Sequence, residues 1–192
     1  MDELEKNQTR LQDTAKRLVT ETKLIELLEK LGTPIQTGSS MTGLMVYPDI
    51  DFTILNSKPD IQTAIDLIPA LFNDLRASEV KVADFRSDSQ ESAAYYVGVS
   101  FPFNGESWHI DATVSDDVNG NDPSSAYKYL LDINSKQRIT ILRLKKDLID
   151  TKRYAGARSQ PPYTFRSFHL YEGVIRGEVQ SIEDLENYFS KN

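Results

Sequence analysis

Two short segments alternate so strictly between carboxylate and apolar side chains that they limit what this chain can become. In Asp49-Ile50-Asp51-Phe52-Thr53-Ile54-Leu55, strand geometry sends successive side chains to opposite faces. Asp49 and Asp51 then share one face, while Ile50, Phe52 and Ile54 occupy the other and can be buried. Trp108-His109-Ile110-Asp111-Ala112-Thr113-Val114 repeats the pattern. Here Trp108, Ile110, Ala112 and Val114 are apolar partners on one face, and His109, Asp111 and Thr113 lie on the other. Adjacent carboxylates repel unless a cation sits between them, and oxygen ligands of this kind suit Mg²⁺ or Mn²⁺. If the two strands are neighbours, three carboxylates converge. Such a set can hold two ions roughly 3.5–4 Å apart. Ions held this way serve phosphoryl transfer, one by lowering the pKa of an attacking hydroxyl and the other by neutralising a triphosphate.

The segment before the first strand adds to this reading. Pro34 to Thr37 read as a short strand that runs into the turn Gly38-Ser39-Ser40, with a helical turn expected over 41–47. A strand-to-helix junction of this type offers backbone N–H groups and a hydroxyl to an anion. Gly38 and Ser39 are therefore candidate phosphate-binding residues. The whole spaced pattern resembles the signature of the DNA polymerase β-type nucleotidyltransferase superfamily. Gly38-Ser39 stands for its Gly-Ser turn, Gly43 for the glycine four residues later, and Asp49-x-Asp51 for its paired carboxylates. Asp111 matches the third carboxylate on a later strand. The resemblance spans residues from about 34 to 114. It implies a metal-dependent enzyme that moves a nucleoside monophosphate from a nucleoside triphosphate, ATP among them, to a hydroxyl and releases pyrophosphate. Asp49, Asp51 and Asp111 would be both the metal ligands and the catalytic groups, with Asp111 placed to accept the proton of the attacking hydroxyl.

The rest of the chain supplies a frame for that centre. Apolar residues at helical spacing predict one long helix or two joined ones over 3–31, ended by Gly32 and Pro34. Residues 60–77 form a second amphipathic pattern. Strands are expected at 80–86, 94–103 and 106–114, the last two joined by the hairpin signal Asn104-Gly105. Helices are expected near 124–132, 135–151, 164–176 and 181–190, the last capped by Ser181. The fold class is thus α/β (α+β), a small mixed sheet flanked by helices. The expected division is a catalytic domain over 1–120 and a helical C-terminal subdomain over 121–192.

Composition narrows the partners. The 192 residues contain no cysteine, which removes disulfides, thiolate metal sites and cysteine nucleophiles. Twenty-two lysines and arginines face 29 acids, a net charge of -7. Grip on a long nucleic acid usually rests on a basic patch, so a small-molecule or protein acceptor is favoured over a long nucleic acid. That balance and the short chain look more like the small bacterial antibiotic-modifying or uncharacterised branches than like polymerases. The charged start MDELEKNQTR has no apolar signal region, and no stretch has the length of a membrane span. The expectation is a soluble cytoplasmic protein.

Several residues are open to two readings. His109 either contacts a substrate or water, or is merely an exposed strand residue. Lys145, on the 135–151 helix, is a candidate for a triphosphate contact or a solvated helix lysine. Tyr154 and Arg158 are candidate nucleotide contacts from the loop 154–163. Tyr163, Phe165 and Phe168 read as core rather than as a base-stacking platform. A glycosyltransferase would also use Asp-x-Asp, but leaves Gly38-Ser39 and Asp111 without roles. A non-catalytic module with the same fold is the remaining alternative.

Overall fold

A computed structural model describes residues 3–87, 94–118, 120, 122–155 and 160–191. The chain divides into two compact units, Thr9–Leu131 and Met1–Gln8 with Asp132–Asn192.

In the first unit, helix α1 (Glu3–Glu21), whose opening residues belong to the other unit, buries Leu11, Thr14, Ala15 and Leu18 along one stripe. The periodic run expected over 3–31 is interrupted after Glu21. There Thr22 Oγ1 donates to the Leu18 carbonyl at 2.8 Å and accepts from Leu24 N–H at 3.2 Å, which opens a separate short helix α2 (Leu24–Leu28). The chain then forms β1 (Thr33–Thr37), α3 (Gly38–Thr42), β2 (Asp49–Leu55), α4 (Ile61–Leu75), β3 (Glu79–Asp84), β4 (Tyr95–Phe103), β5 (Glu106–Ser115) and a 3₁₀ helix over Pro123–Leu131. The helical turn expected over 41–47 lies earlier, because β1 passes into α3 at Gly38 with no intervening loop.

The five strands lie in the order β1-β2-β5-β4-β3. Only the central pair β2 and β5 is parallel, and α4, β3 and β4 supply the crossover between them. The hairpin between β4 and β5 turns at Asn104 and Gly105, with φ of 52° and 81°. One face of the sheet is apolar: Ile50, Phe52 and Ile54 from β2, Val97, Val99 and Phe101 from β4, and Trp108, Ile110, Ala112 and Val114 from β5. These residues form a continuous core with Leu11 and Leu18 of α1, Leu24 and Leu28 of α2, and Ala64, Leu67 and Leu71 of α4. With that face sealed by helices, the polar side chains of the same strands are directed to the opposite face.

The second unit contains α5 (Ser135–Asp150), α6 (Ser167–Arg176) and α7 (Ile182–Lys191). A capping box of Asn134 and Gln137 starts α5. The Arg153 guanidinium donates to the carbonyls of Pro162 (2.7 Å) and Tyr163 (2.8 Å) and pairs with Glu186 of α7. Of the three aromatics expected in the core, only Phe165 is buried. Phe168 is 56% exposed and Tyr163 75% exposed. Tyr163 sits in a turn after two prolines, and α6 spends its inward face on Leu170, Tyr171 and Val174. Among the described residues no helix is long and apolar enough to cross a membrane.

Candidate metal centre

The parallel register of β2 and β5 sets Asp49 beside His109, and Asp51 beside Asp111. Side-chain alternation then turns all four to the polar face. Asp49, Asp51 and Asp111 each offer a carboxylate oxygen within 4.8 Å of the others. Asp49 is buried, and Asp51 and Asp111 are half-buried. Three acids in this space are mutually repulsive and are partly shielded from water, an arrangement that a divalent cation relieves. The donor set is all oxygen, which fits Mg²⁺ or Mn²⁺ rather than a thiophilic metal.

The two glycines of the motif have distinct physical reasons. Gly38 has φ of 68°, and a Cβ there would collide with the Asp51 carboxylate. Thr37, the residue before it, pairs with Asp51 across β1 and β2. The turn backbone therefore lies directly against the second carboxylate, and only a glycine leaves that space. Gly43, with φ of 71°, ends α3 in the left-handed conformation and its N–H caps the Ser39 carbonyl. Ser39 is buried in the first turn of α3.

Asp111 is held by residues of two strands. The Tyr96 hydroxyl of β4 donates to Asp111 Oδ1. His109 Nε2 lies 3.1 Å from the same oxygen, and Nδ1 of that ring meets Ser100 Oγ at 2.9 Å. Burial opposes ionisation of Asp111. The hydrogen bonds from His109 and Tyr96, with the charges of His109 and Lys81, outweigh it and hold the carboxyl below its usual value. The bond to Asp111 raises the pKa of His109, against the effect of burial, with further help from Asp111, Asp49 and Glu79. Burial, then the hydrogen bond to Asp111 and the nearby acids, push the Tyr96 phenol upward, so it stays a proton donor at neutral pH.

The structure thus brings Asp49, Asp51, Asp111 and Gly38 together and sets Ser39 next to Gly38. Lys145 belongs to the second unit. It is buried in α5 with its ammonium 5.7 Å from the centre of the Tyr154 ring. Arg158 lies outside the described residues. Tyr96 and Ser100 were missed in the sequence. Their signal was the period-two alternation of β4, which sets Tyr96, Gly98 and Ser100 on one face, but the apolar run Val97-Val99-Phe101 dominates that strand.

No protein-family model and no curated protein matches the chain. Solved structures do. The non-canonical poly(A) polymerase complex GLD-2–GLD-3 matches over 99% of this chain and 64% of its own, with 13% identity and a TM-score of 0.56. The GLD-2/RNP-8 complex matches over 98% and 66%, with 11% identity and a TM-score of 0.57. A cytoplasmic RNA terminal U-transferase matches over 90% and 53%, with 15% identity and a TM-score of 0.53. The chain therefore spans about half to two thirds of the length of these structures. At such identities the likeness is one of fold: a mixed sheet flanked by helices, similar to the nucleotidyltransferase folds of these proteins.

Proposed function

We propose that the chain is a divalent-metal-dependent nucleotidyltransferase that moves a nucleoside monophosphate from a nucleoside triphosphate to a hydroxyl. The observation that carries this reading is the convergence of Asp49, Asp51 and Asp111 within 4.8 Å on adjacent parallel strands. Their oxygens would hold Mg²⁺ or Mn²⁺, which supplies charge neutralisation for a triphosphate and activation of a hydroxyl. Asp111 would accept the proton of the attacking hydroxyl. The backbone of Gly38 and Ser39 would face the phosphates. A reducing, cytoplasmic setting suits a chain without cysteine.

Two acceptor classes have separate support. The net charge of -7 favours a small molecule or a protein, as in the antibiotic-modifying type of member. The poly(A) polymerase and U-transferase names of the similar structures favour the 3′ hydroxyl of an RNA. Pyrophosphate release can be followed with each triphosphate in Mg²⁺, with an RNA oligonucleotide, an aminoglycoside or no added acceptor. Release that disappears in Asp49→Asn, Asp51→Asn and Asp111→Asn supports the reading, and the stimulating acceptor decides between the classes. Release that is equal in all four proteins refutes it.

A further inference from the structure

The strand beside Asp111 carries a set of side chains that nucleotidyl transfer by three carboxylates leaves unused. In the antiparallel register of β4 and β5, Ser100 faces His109, Gly98 faces Asp111 and Tyr96 faces Thr113. The Tyr96 side chain leans back over Gly98 to reach Asp111 Oδ1. A Cβ at Gly98 would meet the Tyr96 hydroxyl and ring, so a glycine at this point keeps the path open. On the far side, Lys81 of β3 pairs with Gly98, and its ammonium stands 5.9 Å from the centre of the Tyr96 ring.

Tyr96 and His109 both engage Oδ1, not one oxygen each. Two donors on one oxygen fix the plane of a carboxylate and leave its second oxygen to another partner. In the neutral tautomer that carries its hydrogen on Nε2, Nδ1 accepts from the Ser100 hydroxyl. When the ring is charged, both nitrogens carry a hydrogen. Tyr96 is a donor here, since a phenol keeps its proton at neutral pH and its hydroxyl lies against Asp111 Oδ1.

We propose that Tyr96, and His109 anchored by Ser100, are positioning residues that fix the Asp111 carboxylate so that its free oxygen meets the cation shared with Asp49 and Asp51. This rests on the carboxylate site being a metal site. Hydrogen-bond partners of metal ligands set ligand orientation, and their loss commonly weakens metal binding by about 10- to 100-fold.

The test is titration of Mn²⁺ into the full chain, with free Mn²⁺ read by electron paramagnetic resonance and no nucleotide present. The proteins are wild type, Tyr96→Phe, Ser100→Ala and Asp111→Asn. Tyr96→Phe keeps the ring and removes only the donor, so its melting temperature should match wild type while Mn²⁺ affinity falls about 10-fold. Ser100→Ala, which releases only His109, should lose affinity in the same direction by less. It stands in for the phenylalanine variant should that one not fold. Wild-type affinity in both variants, with affinity lost in Asp111→Asn, would overturn the positioning role and leave the metal site standing. Equal binding by wild type and Asp111→Asn would remove the metal-site reading, and the positioning role with it.

Discussion

Gly38→Ala is the substitution that most tightly couples backbone conformation to the carboxylate centre. Two costs add at this position. Alanine at a φ of 68° is strained, at about 1–3 kcal/mol. Its methyl also enters the space of the Asp51 carboxylate, which must move or force β1 and β2 apart. The expected loss is therefore above the strain alone, and each kcal/mol lowers the melting temperature of a chain this size by about 2–4 °C. Displacement of a carboxylate by about 1 Å costs about 100-fold in rate, so transfer should fall by roughly that factor. The two costs separate in a double-mutant cycle with Asp51→Ala, measured by urea unfolding in EDTA. Without the Asp51 carboxylate, backbone strain and a contact with the remaining Cβ are left, so Gly38→Ala should cost at least ~1 kcal/mol less in that background. Equal costs in the two backgrounds would show that the turn does not press on Asp51, and the account of the Gly-Ser turn would be wrong.

Other expectations follow from single features. Asp49→Ala removes one of three repelling acids, so the metal-free protein should melt at the same temperature or higher. A much lower melting temperature in EDTA would make Asp49 a structural residue. Lys145→Met replaces a buried ammonium by an apolar chain of similar length. It should preserve the fold, and a much lower melting temperature would show that the ammonium is held by a buried partner whose loss is costly. His169 has its pKa lowered from 6.5, by burial first and then by the Arg166 charge. The folded form therefore disfavours the imidazolium. Stability from this residue is complete above pH 6.5 and declines as pH falls through the lower folded value. In proton NMR His169 should titrate below 6.5, and a midpoint at or above that value would contradict its environment.

The elements of the site were legible in the sequence because alternation is a local property. Asp49-x-Asp51 and His109-x-Asp111 declare their faces without reference to the rest of the chain, and β2 and β5 occupy almost the residues their patterns mark. The register that joins Asp51 to Asp111 was not legible. Parallel neighbours are separated by a long crossover, and no turn links them to fix the pairing. The β4 contribution was hidden for a related reason. Tyr96 serves as a polar donor here, yet in sequence it is one more aromatic in an apolar strand. At Gly38 the sequence marks a turn, but only the fold reveals that the turn abuts a carboxylate. The exposure of Phe168 follows from α6 turning Leu170, Tyr171 and Val174 inward, and that of Tyr163 from its place in a turn, tertiary outcomes with no local signature.

If three carboxylates bind a cation which in turn binds a triphosphate, calorimetric titration of each nucleoside triphosphate, with and without Mg²⁺, into wild type and Asp51→Asn should show it. Binding should need Mg²⁺ and be lost in Asp51→Asn. Absence of binding for every triphosphate, or binding that survives in Asp51→Asn, would contradict this role of the carboxylates.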